Sequence, residues 1–417
     1  SRSFAFSTLV YSQATFFCFS RGTKSQFGRP NSDCECTLPV NPLLEGVYCR
    51  RVFYPTTVSA DPYPLELPLP FFSYIQASDH KMPTKPKVDE SRVAAAIKGA
   101  LLADAASMGC HNSTPANPDA PEFQDPPNPV GYSSTDYPGH YEAGMLSPWG
   151  EQLLFATQYV AKEKLVTAGP MSVALMKWAE TNGGYHDKGV DEFLTCMKAG
   201  DRSVELCGKD DDRACAFARI IPTVCLYAGE VDMLERVKET VMIYQTNPKA
   251  IRFCCAAATV LEGILLGKTL KLSLENLVNS AMSSTTNFTL DDSDLGDACL
   301  FALMEAKMKD MTQVVEALKE EEEEHGGNSA RFPSAFEIPT YLFYKAMADG
   351  EIDEAAYIKA IRTNINAGGE TCLRAILLGA VFGAAAGSVP ASFAEKFPKE
   401  TMETVDKAIQ EICSVLN

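Results

Sequence analysis

The sequence predicts an all-α protein built around one buried helix, and three observations carry that reading. From residue 90 onward, apolar residues recur at three- and four-residue spacing in successive segments. Alternation of period two is absent from 90 to 417, so no strand pattern competes. The stretch 366–387, NAGGETCLRAILLGAVFGAAAG, is small or aliphatic at nearly every position after its Gly-Gly turn and Glu370. A helix apolar on most of its surface belongs inside a domain, with other helices packed round it. Gly379, Gly383 and the neighbouring alanines would let other backbones come close, so 373–386 is expected at the centre.

The elements follow in order. SRVAAAIKGALLADAASMG reads as a first helix with Ser91 as its N-cap and an apolar stripe through Val93, Ile97, Leu101 and Met108. A long Pro-, Asn- and Gly-rich loop spans about 110–147; its aromatic residues, Phe123 to Trp149, imply that it lies on the body. Helical periodicity then continues through EQLLFATQYVAKEK, PMSVALMKWAET, DEFLTCMKA, DDRACAFARIIPTVCLYA and VDMLERVKETVMIYQT. NPKAIRFCCAAATVLEGILLG opens with Asn-Pro, a favourable helix start. SLENLVNSAM, SDLGDACLFALMEA, TQVVEALKEEEEE, FEIPTYLFYKAMA and DEAAYIKAIRTNIN lead to the central helix, and ETMETVDKAIQEICSVL closes the chain. The acid run Glu320–Glu324 reads as a solvated helix end. Residues 82–417 therefore form one helical domain.

Residues 1–81 show neither helical nor strand periodicity, and they lack methionine although the chain has fourteen; the first is Met82. They read either as untranslated-region or cloning residue ahead of a start at Met82, or as a transit-like leader. The missing methionine favours the former. The net charge of −17 argues against nucleic-acid and anionic-membrane partners, which need basic surface. The fourteen cysteines lack zinc-finger spacing, and Cys225, Cys254 and Cys255 fall inside apolar helical patterns, as in a reduced compartment. The expected location is the cytoplasm, or an organelle if 1–81 is a transit peptide.

No Ser-His-Asp arrangement, phosphate loop or dinucleotide fingerprint can be read. The candidate site is instead a set of polar residues at apolar junctions. Asp104 interrupts GALLADAASMG, His111 follows just past that helix, Glu151 starts the helix after SPWG, and Glu370 opens the central helix with Cys372 two residues on. Acids and a histidine in this pattern suit acid/base or metal chemistry. Each also reads as a cap or a solvated helix end.

These segments together resemble the ADP-ribosylglycohydrolase superfamily, in the branch of the J1 crystallins and selenoprotein J. GALLADAASM is similar to the family's first-helix motif, SPWGEQLLF to the branch's Ser-Pro-Tyr-Gly-Glu-Gln segment preceded by PEFQDPPNP, ARIIPTVCLYAGE to the middle helix, and AGGETCLRAILLGAVFGAAAG to the C-terminal glycine-aspartate motif. The resemblance implies a helical bundle whose hydrolases hold two magnesium ions that bind ADP-ribose and activate water. This chain departs from that pattern. A family glutamate position is His111, the aspartate pair of the second motif is reduced to Glu151 beside Gly150, and the third motif carries Glu370, Cys372 and Leu373. Asp104, Glu151 and Glu370 as metal ligands would hold one divalent ion, magnesium by resemblance, but hardly two.

Two functions follow. One is a hydrolase with an altered, metal-depleted site acting on a small-molecule or ADP-ribosylated substrate. In it Glu370 or Glu151 activates water, His111 serves as acid/base, and Asp104 and Arg374 bind substrate. The other is a non-catalytic crystallin-like protein that kept the fold and self-associates or joins a larger assembly. The altered hydrolase is favoured, because Asp104 on an apolar helix has no evident structural purpose.

Overall fold

In the computed structural model, residues 86–111, 122–123, 142–181, 188–200, 207–281, 293–311, 313–314 and 330–416 are described. The expectations for 1–81, for most of the 110–147 loop and for the acid run lie outside these residues.

The molecule is organised by two helices that touch backbone to backbone. α1 (Glu90–Met108) lies against the central helix, which spans Thr371–Ala386. A methyl group on Gly99 would run into the Gly379 carbonyl, one on Gly379 into the Gly99 carbonyl, and one on Gly383 into that of Ala95. Glycine is required there because no side chain fits between the two main chains. Every residue of the central helix from Thr371 to Ala384 is buried. Its Leu, Ile, Val and Phe side chains each stabilise the fold by about 1.5–3 kcal/mol relative to exposure.

Around this pair stand α2 (Pro148–Glu163), α3 (Ala168–Thr181), α4 (Lys188–Ala199), α5 (Phe217–Tyr227), α6 (Met233–Met242), α7 (Pro248–Leu265), α8 (Leu270–Ala281) and α9 (Ser293–Met308). α10 (Ser334–Asp349) and α11 (Glu354–Ala367) precede the central helix, hereafter α12; a short α13 (Ala391–Ala394) and α14 (Lys399–Cys413) follow it. α5, α7, α10 and α11 pack on α12, while α2 packs between α5 and α14. α11 is tied to α1 by the Tyr357 hydroxyl, which donates to the Gly99 carbonyl at 2.6 Å. α7 begins as its Asn-Pro predicts, with Asn247 accepting from the Lys249 amide at 2.8 Å.

Among the described residues there is no sheet, only isolated bridges between Lys209 and Gln245 and between Arg213 and Arg331. One cap differs from expectation. The N-cap of α1 is Asp89, whose carboxylate accepts from the Ser91 amide at 2.9 Å and the Ser91 hydroxyl at 2.7 Å. Ser91 sits inside the helix because an ionised cap two residues earlier satisfies the free amides better than its hydroxyl can. Cys225, Cys254 and Cys255 are free and buried, packed as small apolar side chains.

Candidate functional site

The site forms where the C-terminal end of α1 meets the N-terminal ends of α2 and α12. Asp104, on the last turns of α1, is completely buried. Its carboxylate accepts from the Ser147 amide at 2.8 Å and the Ser147 hydroxyl at 2.5 Å. Ser147 is the N-cap of α2 and in turn accepts from the Gly150 amide at 3.2 Å. Asp104 thus anchors the start of α2, and a side chain at Gly150 would strike its carboxylate. Glycine at 150, read from the sequence as a lost metal ligand, is the residue that this anchored carboxylate allows. Burial pushes the Asp104 carboxyl up to about 7, against the pull of the Ser147 hydrogen bonds and with the help of the Glu151 charge. Glu151, half-buried in the first turn of α2, is therefore a neighbour of Asp104.

His111 sits in the turn after α1, its side chain 1% exposed, with Nε2 2.9 Å from Glu370 Oε2. Its Nδ1 lies 3.4 Å from the Cys372 amide nitrogen. The ring lies 4.8 Å from that of Trp149, tilted by 47°. Glu370 occupies the N-cap position of α12, but its carboxylate does not cap the helix. It reaches out to His111 instead. Burial raises the Glu370 carboxyl, but the His111 charge and hydrogen bond, helped by Arg213 and Arg374, outweigh it and hold the group below its ordinary range. Gly368 and Gly369, with φ of 72° and 65°, make the turn that puts Glu370 there.

Cys372 bridges the two halves. Its amide meets His111, and its sulfur lies 4.0 Å from the Asp104 carbonyl. Burial, then the charges of Asp104 and Glu370, push its thiol well above the usual value, so it stays protonated.

Arg374, expected to bind an anionic substrate group, is placed where no solute reaches it. It is fully buried, its Nε donates to Asn364 Oδ1 at 2.8 Å, and its Nη2 donates to the Gly368 carbonyl. A guanidinium this deep braces the Gly-Gly turn and lends positive charge to Glu370 from behind. The substrate-binding role assigned to Asp104 meets the same obstacle, since burial closes it to any ligand.

The cation that does face the site is Arg213, which sequence reading passed over. Its Nε and Nη2 grip Asp211 at 3.0 and 2.8 Å, its side chain is 25% exposed, and its charge reaches Glu370. The available signal was the arginine closing DDDR just ahead of the middle helix. Behind it, the buried Arg219 donates to Gln152 Oε1 at 3.1 Å and stacks over the Tyr244 ring at 3.4 Å. Tyr244 donates to the same Gln152 oxygen at 2.6 Å. This network fixes Gln152, the neighbour of Glu151.

The donor set does not suit a pair of magnesium ions. Magnesium wants carboxylate and water oxygens in octahedral array. Here both Asp104 oxygens are engaged by Ser147, one Glu370 oxygen faces His111, and the Cys372 sulfur keeps its proton. Among the described residues no three His, Cys, Asp or Glu side chains form a metal-binding group.

The sequence model of the ADP-ribosylglycohydrolase family matches residues 85–416. The chain belongs to that family. Among solved structures it is similar to an ADP-ribosylglycohydrolase-related protein complex, at a TM-score of 0.54 and 13% identity, over 78% of this chain and 98% of that one. At that identity the likeness concerns the fold, which is the family's all-helical one. No curated protein matches. No helix among the described residues is long and apolar enough to cross a membrane.

Proposed function

We propose that this member of the ADP-ribosylglycohydrolase family is a hydrolase with an altered, metal-depleted site, acting on the glycosidic bond of an ADP-ribose-like substrate. The observation that carries it is the His111–Glu370 pair, at 2.9 Å, at the mouth of the buried central helix. A carboxylate held below its ordinary range is ionised at neutral pH and can accept a proton from water. In this reading water adds to the ribosyl carbon and gives its proton to Glu370, while the bond to the leaving nitrogen or oxygen breaks. The leaving atom takes a proton from solvent water, and Glu151, ionised beside Asp104, is the alternative base for the attacking water. His111 orients Glu370 rather than acting as an acid itself, because each ring nitrogen already meets a protein group. Arg213 takes the place of Arg374 as the cation beside an anionic substrate. The SPWGEQ and GGETC segments support placing the chain near the J1-crystallin and selenoprotein J branch. The cytoplasm remains the proposed location.

A second reading is a non-catalytic, crystallin-like protein. It is favoured by Asp104 and Arg374, which are used internally to hold helix starts. Incubation with an ADP-ribosylated peptide in excess chelator separates the two. Release of ADP-ribose by the wild type, lost by at least about 100-fold in Glu370→Gln, supports the hydrolase. No release with or without magnesium supports the structural protein.

A further inference from the structure

Away from that site, the end of α9, α10 and α11 enclose a cleft of about 610 Å³, a size typical of small-ligand sites. Its floor is apolar, formed by Tyr341, Leu342, Ala346 and Ala356, of which Tyr341 and Leu342 are buried. Its rim is acidic: Asp310 comes from the segment just after α9, and Asp349, Glu351 and Asp353 from the end of α10 and the turn into α11. Two of these are fixed by local structure. Asp353 caps α11 through the Ala356 amide at 2.8 Å, and Asp310 accepts from the Gln313 amide at 3.0 Å.

The protein's own ammonium groups show what this lining attracts. Lys345 Nζ lies 5.5 Å from the centre of the Tyr341 ring, within reach of the ring's negative face. Lys359 pairs with Asp349. The Tyr341 ring is held in place by its hydroxyl, which donates to the Lys309 carbonyl at 3.1 Å. Burial, then the charges of Asp310, Glu305 and Asp349, push that hydroxyl up to about 12, consistent with a negative local field. Four carboxylates against two lysines leave the lining net negative even with both lysines in place.

We infer that this cleft is a binding site for a small organic cation, a primary ammonium on an apolar or aromatic body. The body would rest on the alanine and tyrosine floor, and the ammonium would lie among the rim carboxylates. The assignment does not depend on the hydrolase reading and uses none of the residues of that site.

The probe is phenethylammonium, titrated calorimetrically into the full chain, with 2-phenylethanol and phenylacetate as neutral and anionic counterparts. The inference expects saturable one-to-one binding of the ammonium, at least about tenfold weaker binding of the alcohol, and none of the acid. Added salt should weaken the ammonium. Ala356→Phe, which fills the floor, should abolish binding. Because that variant risks misfolding, Glu351→Gln at the exposed rim provides the second test and should weaken binding about threefold. Equal affinity for the alcohol would reduce the cleft to an apolar crevice and overturn the inference. So would the absence of saturable binding, or wild-type affinity in a folded Ala356→Phe together with Glu351→Gln.

Discussion

At Glu370 two forces oppose each other. Burial disfavours the charge, while His111, with Arg213 and Arg374 behind it, restores it. A depressed carboxylate contributes stability above its ordinary value of 4.5 and loses it as pH falls through the lower folded value. Acid unfolding should therefore begin below about pH 4.5 and start at higher pH in Glu370→Gln, which lacks this group. His111→Ala strands the carboxylate and opens a cavity, so denaturant titration should show a loss of about 2–4 kcal/mol. Asp104 behaves oppositely. Its carboxyl is raised from 3.8 to about 7, so the stability associated with its protonated form is complete below 3.8 and is lost as pH climbs through about 7. Melting temperature should fall between about pH 4 and 7 in the wild type, and that slope should flatten in Asp104→Asn. If the slope persists, Asp104 is not the titrating group.

Helices are where the sequence was most legible. The run of small residues in 373–386 has one physical meaning, close backbone approach, and Gly379 and Gly383 lie against the α1 backbone as that demands. Gly383→Leu must push the two helices apart. It should cost at least about 1–3 kcal/mol by chemical denaturation, whereas Ser388→Ala, on an exposed residue beyond the helix, should change little. What could not be read was which of two neighbouring polar residues caps α1. Asp89 and Ser91 differ by two positions, and the choice depends on where the chain turns off Leu265, a contact distant in sequence. The isolated bridges escaped for the same reason, being single pairings without any repeating pattern.

At the scale of the whole molecule, family and fold could be read because the motifs occur in order along the chain. The site was legible in part. His111 and Glu370, far apart in sequence, are partners. The sense of Arg374 was not legible, because an arginine one turn into a helix reads the same whether it points to solvent or to Gly368. Arg213 was hidden because its importance comes from its charge reaching Glu370, a residue distant in sequence. A chain beginning at Met82 should melt within a few degrees of the full sequence, since 1–81 carries no amphipathic pattern to pack on the body; insoluble protein would refute this. The proposed function stands on the His111–Glu370 pair working without the two magnesium ions that the family resemblance implies. Calorimetric titration of magnesium into the chelator-treated protein reads that claim directly. The account predicts no saturable heat up to about 1 mM, given the octahedral oxygen set magnesium requires. Saturable binding of two ions per chain, abolished by Glu370→Gln, would contradict it.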